Sequence, residues 1–205
     1  INENSFGKMT EIKTITLPSS MKTIKKEAFK GSSKLRIVML KEEISVECSD
    51  ESVFDEVSST FRLFVKDTNS ITSLCNKNVI KYSEQASVGN YIHYVVTSTE
   101  EKTLVIYGME NMTETFTEGQ QPWYDKEEII TKVEIDEDTM NIGSYAFAGM
   151  KSMKTISLPE TMQRIGEYAF KESGIETITI PSSVQEIKEN AFKHCKQLKS
   201  IIVEP

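Results

Sequence analysis

The chain has 205 residues, 38% of them hydrophobic and 27% charged, the balance of a folded protein rather than a disordered one. Its net charge of -7 argues against a nucleic-acid-binding surface, because neutralising phosphates requires clustered Lys and Arg. No uninterrupted apolar stretch approaches the roughly 20 residues that cross a bilayer, and no signal peptide precedes the patterned region.

A phrase repeats along the chain. Starting from Ile12, the residues Ile15, Leu17, Pro18, Met21, Ile24, Ala28 and Phe29 fall at offsets of 3, 5, 6, 9, 12, 16 and 17. The alternation of Ile15 and Leu17 is the period of a short strand with one face buried. Pro18 ends that strand, having no backbone donor to continue a ladder. Met21 and Ile24 close the far side of the turn, and the KKEAF segment is expected to form a single helical turn that presses Ala28 and Phe29 inward.

Leu35 opens a second turn with Val38 and Leu40 inside, after which the pattern weakens. Val53-Phe54 stands two residues from the expected Ala-Phe position. The apolar FRLFV of residues 61–65 predicts a last strand near Leu63, followed by a short helix over residues 70–75. A decaying turn is expected at the end of a repeat array, where it must shield the open core. The polar KYSEQASVGN of residues 81–90 then reads as a linker.

Beyond it, YIHYVV and TLVIYG are rich in aromatic and β-branched residues and predict a β-hairpin, residues 91–96 pairing with 103–107. Residues 108–128 show no period and carry the single tryptophan, Trp123, in a segment suited to plug the end of a solenoid.

The phrase returns at Ile130, with Val133, Ile135, Ile142, Ala146 and Phe147 in register, and recurs from Met153 and Ile175. Over residues 153–192 the two copies match at a constant offset of 22: Ile156, Leu158, Pro159, Met162, Ile165, Ala169 and Phe170 answer to Ile178, Ile180, Pro181, Val184, Ile187, Ala191 and Phe192. Leu198 opens one more turn. A period in the twenties with restarted strands predicts stacked solenoid turns. Because the chain begins at Ile1 and ends at Pro205 within a phrase, it reads as a piece of a longer protein, with further repeats and any targeting segments outside it.

The phrase I-x-x-I-x-(L/I)-P-x-x-(M/V)-x-x-I-x-x-x-A-F resembles the BspA-type leucine-rich repeat of microbial and protist surface proteins. Residues 12–29, 153–170 and 175–192 carry it, with a weaker copy at 130–147. Cys195, three residues after the last Ala-Phe, stands where that family often has cysteine, while Ser32, Met150 and Ser173 replace it elsewhere. TLVIYGMENM followed by QPWYDKEEIITKVEI is similar to the unit preceding many such arrays, with Glu110 in place of a usual glycine. The expected fold is an α/β-type, strand-rich leucine-rich-repeat solenoid with short parallel strands, tight turns and one-turn helices. The expected organisation is a first repeat block at 1–85, a hairpin and Pro-Trp capping segment at 86–128, and a second block at 129–205.

The resemblance implies a non-enzymatic module at the cell surface or secreted, an adhesin binding host cells, a matrix protein of the fibronectin kind or another surface protein. A structural spacer without a ligand of its own is the alternative. No catalytic residue and no cofactor is implied.

The residues themselves offer few chemical groups. His93 and His194 are the only histidines, and neither has metal-ligand spacing. His194 beside Cys195 suggests a thiol and base, but neighbouring residues in a strand or helix point to different sides. Repeat phasing places Cys195 in or near the core. Cys48 and Cys75 read as buried thiols like Cys195, since three cysteines cannot all pair internally. Asp136-Glu137-Asp138 carries oxygen ligands of the calcium type but lacks a glycine-centred loop, and reads as a solvated turn. An Asn-Met-Thr sequon begins at Asn111 and matters only in a eukaryotic secretory route.

With Ile15 and Leu17 and their counterparts pointing inward, Thr14, Thr16, Lys132, Glu134, Thr155, Ser157, Thr177 and Thr179 must point outward. Stacked at about 4.8 Å, they form ladders rich in hydroxyls on the face that solenoids use for binding. Threonine is equally a good residue for any exposed strand. Ile37, Met39 and Ile202 are expected to add apolar spots to the same face, unless the decaying repeat covers Met39.

Overall fold

The computed structural model describes residues 1–40, 46–65, 79–88, 92–108 and 116–205. The chain divides into two compact units, Ile1–Ser83 and Glu84–Pro205. Each is a stack of short parallel strands joined by turns.

In the first unit, β1 (Thr14–Leu17), β3 (Ile37–Leu40) and β5 (Arg62–Val65) pair in parallel order, and β6 (Val79–Val88), whose first residues belong to this unit, pairs with β5 through residues 79–81. The short strands β2 (Thr23–Ile24) and β4 (Glu47–Cys48) pair on the other side of each turn. Register follows the phrase: Ile15 lies against Val38, Leu17 against Leu40, and Val38 against Leu63. Leu17, Ile24, Val38, Leu40 and Leu63 are buried in one apolar cluster. Residues 79–88, read in part as a linker, form β6 instead, with Tyr82 buried and its hydroxyl donating to the Leu40 carbonyl at 2.9 Å. Pairing with β5 supplies backbone partners for residues 79–81, where this strand begins, which composition alone does not reveal. The short helix expected at 70–75 lies outside the described residues.

The second unit opens with the expected hairpin. The strands β7 (Ile92–Thr97) and β8 (Thr103–Gly108) are antiparallel, Val95 opposite Val105 and Val96 opposite Leu104. Then β8 pairs in parallel with β9 (Lys132–Ile135), which pairs with β11 (Thr155–Ser157). In the next coils β13 (Thr177–Ile180) pairs with β15 (Ser200–Val203). On the far side β10 (Asn141–Ile142), β12 (Arg164–Ile165) and β14 (Glu186–Ile187) align Ile142, Ile165 and Ile187.

Between the two sides of each turn runs a ladder of phenylalanine rings. In the first unit Phe6, Phe29 and Phe54 stack with centroids 5.2 and 5.3 Å apart. In the second, Phe147, Phe170 and Phe192 stack at 5.5 and 5.1 Å. The displaced Val53-Phe54 thus keeps its structural place despite the longer loop before it. Offset-stacked rings at this spacing contribute beyond their buried area.

Ala-Phe does not sit on a helical turn. Among the described residues the helices are two single 3-10 turns, Glu51–Phe54 and Tyr124–Lys126. Around Ala-Phe the backbone instead enters the left-handed region twice per coil. The residue before Ala does so at Glu27, Tyr145, Tyr168 and Asn190, with φ of 55–59°. The second residue after Phe does so at Gly31, Glu56, Gly149, Glu172 and His194. These reversals turn alternate amides along the stacking axis. Phe147 N–H donates to the Ala169 carbonyl and Phe170 N–H to that of Ala191, both at 2.7 Å, while Gly149 N–H reaches Lys171 at 2.8 Å. A helix would spend those donors inside its own coil, so a coil that must bond its neighbour avoids one.

The second left-handed position predicts opposite effects for opposite substitutions. A non-glycine residue there costs about 1–2 kcal/mol, against about 0.5–1 kcal/mol for glycine's extra entropy loss. Glu56→Gly, at φ 56°, is expected to stabilise the protein by about 0.5–1 kcal/mol. Gly149→Ala, at φ 76°, should destabilise it by about 0.5–1 kcal/mol through the backbone, and further because its Cβ would stand 3.1 Å from the Tyr124 ring. Chemical denaturation of both variants checks this.

Candidate functional site: the outward strand face

Alternation along the strands sorts the eight candidate residues. Thr155, Ser157, Thr177 and Thr179 are exposed on either side of buried Ile156 and Ile178. Lys132 and Glu134 are half-buried, flank buried Val133, and pair with each other at 2.8 Å. Register places Thr155 beside Lys132 and Ser157 beside Glu134. One pairing along, Thr177 lies beside Ser200 and Thr179 beside Ile202, which is 53% exposed. The Glu176 N–H donates to the Lys154 carbonyl at 3.1 Å and so holds β13 next to β11. The second unit therefore brings six candidates together on one face, ion-paired at one end and hydroxyl-bearing beyond.

The first unit differs. Thr16 is exposed and Thr14 half-buried, but their neighbours Ile37 and Met39 are 2% and 0% exposed. These two are not apolar spots on a free face. All four residues of β3 are buried, and Phe64, in register with Met39, is buried too. Both faces of this strand are covered, which leaves little of the outward face for a partner. The sequence hinted at it: IVML has no polar residue to mark an outside, as in strands buried on both sides.

The chemical candidates resolve as structural groups. Cys195 is half-buried, and its thiol donates to the Phe170 carbonyl at 2.9 Å. Ser32 makes the same bond from the same repeat position, its hydroxyl donating to the Phe6 carbonyl. Burial pushes the Cys195 thiol up, opposing thiolate formation. His194 is exposed at a left-handed position, and the side chain of His93, on β7, lies outside the described atoms. Cys48 is not a free thiol: it is disulfide-bonded, its partner lying outside the described residues. Asp136, Glu137 and Asp138 form the turn after β9, where the Thr139 N–H donates to the Asp136 carbonyl and the Thr161 hydroxyl to that of Glu137. Among the described residues no group of three His, Cys, Asp or Glu side chains could hold a metal, and no helix is long and apolar enough to span a membrane.

Trp123 is a repeat position in disguise. It stands 24 residues before Phe147, about one period, and its fully buried ring stacks on that phenylalanine at 5.7 Å. Its indole N–H donates to the Ala146 carbonyl at 2.8 Å, and Tyr94 and Phe116 meet it edge-on at 5.5 and 5.6 Å.

Stacked coils with this phrase and this aromatic ladder match the pattern described as the BspA type leucine rich repeat region, in 6 copies over residues 1–94 and 121–205. The chain belongs to the BspA-type leucine-rich-repeat family. No curated protein matches it. Among solved structures it is similar to a leucine-rich repeat protein from Bacteroides capillosus, at 25% identity over 60% of this chain and 100% of that one, with a TM-score of 0.38. One from Eubacterium ventriosum matches at 21% identity over 59% of this chain, TM-score 0.38. The pneumococcal vaccine antigen PcpA matches at 19% identity over 94% of this chain, TM-score 0.39. The chain spans 44% of the Eubacterium protein and 51% of PcpA.

Proposed function

We propose that this BspA-type chain is a non-enzymatic, surface-displayed or secreted binding module whose outward strand face recognises a protein. The observation that supports this most directly is the second unit's set of exposed hydroxyl-bearing strand positions, Thr155, Ser157, Thr177 and Thr179, flanking apolar core residues. Such a face presents donors and acceptors at fixed spacing on a rigid scaffold, which lowers the entropy lost on binding. Short hydroxyl side chains also let a flat partner approach the strands closely. Membership of the family adds the expectation of an adhesin directed at host cells or matrix proteins.

The spacer alternative draws on the same face: threonine and serine suit any exposed strand. Thr155→Glu combined with Thr177→Glu separates the two readings. Both side chains are exposed, so the double variant is expected to unfold within about 0.5 kcal/mol of the parent. If the face binds, the variant loses at least tenfold in affinity for epithelial cells or immobilised matrix proteins. Two folded proteins that both fail to bind would favour the spacer.

A further inference from the structure

The loops that follow the ladder phenylalanines differ in length. Six positions separate Phe147 from Met153 and Phe192 from Leu198, but five separate Phe170 from Ile175. Counted from the phenylalanine, Lys151, Gly174 and Lys196 therefore occupy one position in three successive coils. The middle coil has no side chain there and admits none, since a Cβ on Gly174 would lie 1.9 Å from the Lys151 carbonyl oxygen. Two coil spacings set the outer loops about 10 Å apart. The missing residue leaves a groove between them of about 580 Å³, lined by Lys151, Glu172, Ser173, Gly174, Lys196 and Gln197 among others. That volume is in the usual range for small-ligand sites.

The lining combines one lysine free to pair, Lys196, and the imidazole of His194 with neutral and acidic hydrogen-bonding groups. Lys196 makes no ion pair among the described residues, whereas Lys151 is held by Glu127 at 2.9 Å and lies 3.7 Å from Glu128. Ser173 is buried, and among the described residues its hydroxyl meets the Cys195 sulfur at 3.6 Å, a weak partner. Ser32, at the matching position, bonds a backbone carbonyl instead. Gln197 offers an amide and Glu172 a carboxylate at the rim.

We propose that this groove binds a sugar residue carrying a single carboxylate, of the uronic-acid kind, within a glycan. Lys196 pairs with the carboxylate. Gln197, Glu172 and the Ser173 hydroxyl exchange hydrogen bonds with ring hydroxyls, which both donate and accept. An acidic peptide or a polyanion fits less well, because its further carboxylates would face Glu172 at the rim and the chain's charge of -7, whereas a single one is met by Lys196. The site lies on the loop side and is independent of the strand-face reading.

The test is a titration of the folded chain with sodium glucuronate, followed by amide NMR, with glucose, sodium chloride and a glutamate-rich peptide in parallel. Saturable shifts at Ser173, Gly174, Lys196 and Gln197 are expected with glucuronate and not with glucose or salt. Lys196→Glu should weaken binding at least tenfold. Inserting Ala after Ser173, which restores the six-position loop, should abolish it while the β13 amides keep their shifts. If the insertion unfolds the protein, Lys196→Glu alone decides. Absence of saturable shifts, equal shifts with glucose, tighter binding of the peptide, or unchanged binding in Lys196→Glu would each overturn the assignment.

Discussion

Trp123→Ala is expected to destabilise the second unit by about 3–5 kcal/mol, the usual cost of emptying a buried aromatic site. The indole closes one end of the ladder: it is fully buried, stacks on Phe147, and meets the edges of Tyr94 and Phe116. Truncation removes all three contacts and takes the indole donor away from the Ala146 carbonyl. Trp123→Phe keeps a ring over Phe147 and loses chiefly that hydrogen bond, so it should cost about 1–2 kcal/mol. In a chain of this size each kcal/mol moves the melting temperature by about 2–4 °C, so the alanine variant should melt roughly 10 °C lower. Two compact units need not unfold together, and tryptophan-free probes such as amide exchange in β9 and β11 follow the right one. A loss below about 1 kcal/mol would show that the ladder is held from elsewhere.

Gly174→Ala is the second large effect, and its cause is different. Nothing is removed; one methyl is added where no space exists. An added Cβ would stand 1.9 Å from the Lys151 carbonyl oxygen and 2.8 Å from its carbon. Both belong to backbone, so no side-chain rotation relieves the clash. The coils must part, stretching Gly174 N–H to the Met150 carbonyl, now 3.0 Å, and Glu176 N–H to that of Lys154, now 3.1 Å. Overpacking usually costs about 1–3 kcal/mol, and a clash with rigid backbone belongs at or above the top of that range. Gly7→Ala is the matched control, because its Cβ would meet neighbours at ordinary distances of 3.4–3.5 Å. It should change stability by about 0.5 kcal/mol or less, as measured by the same denaturation series.

The two substitutions also bear on the groove beside Gly174. The shortened loop both brings the coils into backbone contact and leaves the space between Lys151 and Lys196. A stable Gly174→Ala protein would mean that the coils stand further apart there, and would remove the physical basis of that groove. Trp123→Ala acts at the other end of the same unit and should leave sugar binding intact in the folded fraction.

Much of this architecture was legible in the chain itself. The phrase specified the turns, the buried positions Ile156, Ile165, Phe170 and Ile178, and the alternation that exposes Thr155 and Thr177, because a strand buried on one side leaves a period of two. The hairpin was legible from its aromatic and β-branched residues. The loop that is one residue short was also in plain view, but as a number without a shape.

Tertiary structure decided what periodicity cannot encode. Whether an outward position is free depends on what lies over it, so Thr177 is exposed while Met39, at an equally outward position, is completely buried. Whether a polar segment is a linker or a strand depends on a neighbour able to pair with it, and β5 pairs with residues 79–81, where β6 begins. Left-handed turns replaced helical ones at Ala-Phe because the backbone donors were needed between coils, a demand that arises only once the coils stack. Local pattern thus determined which residues face inward in each coil; contacts between coils determined the turn geometry, the stacking of Trp123 on Phe147 and which outward residues remain available.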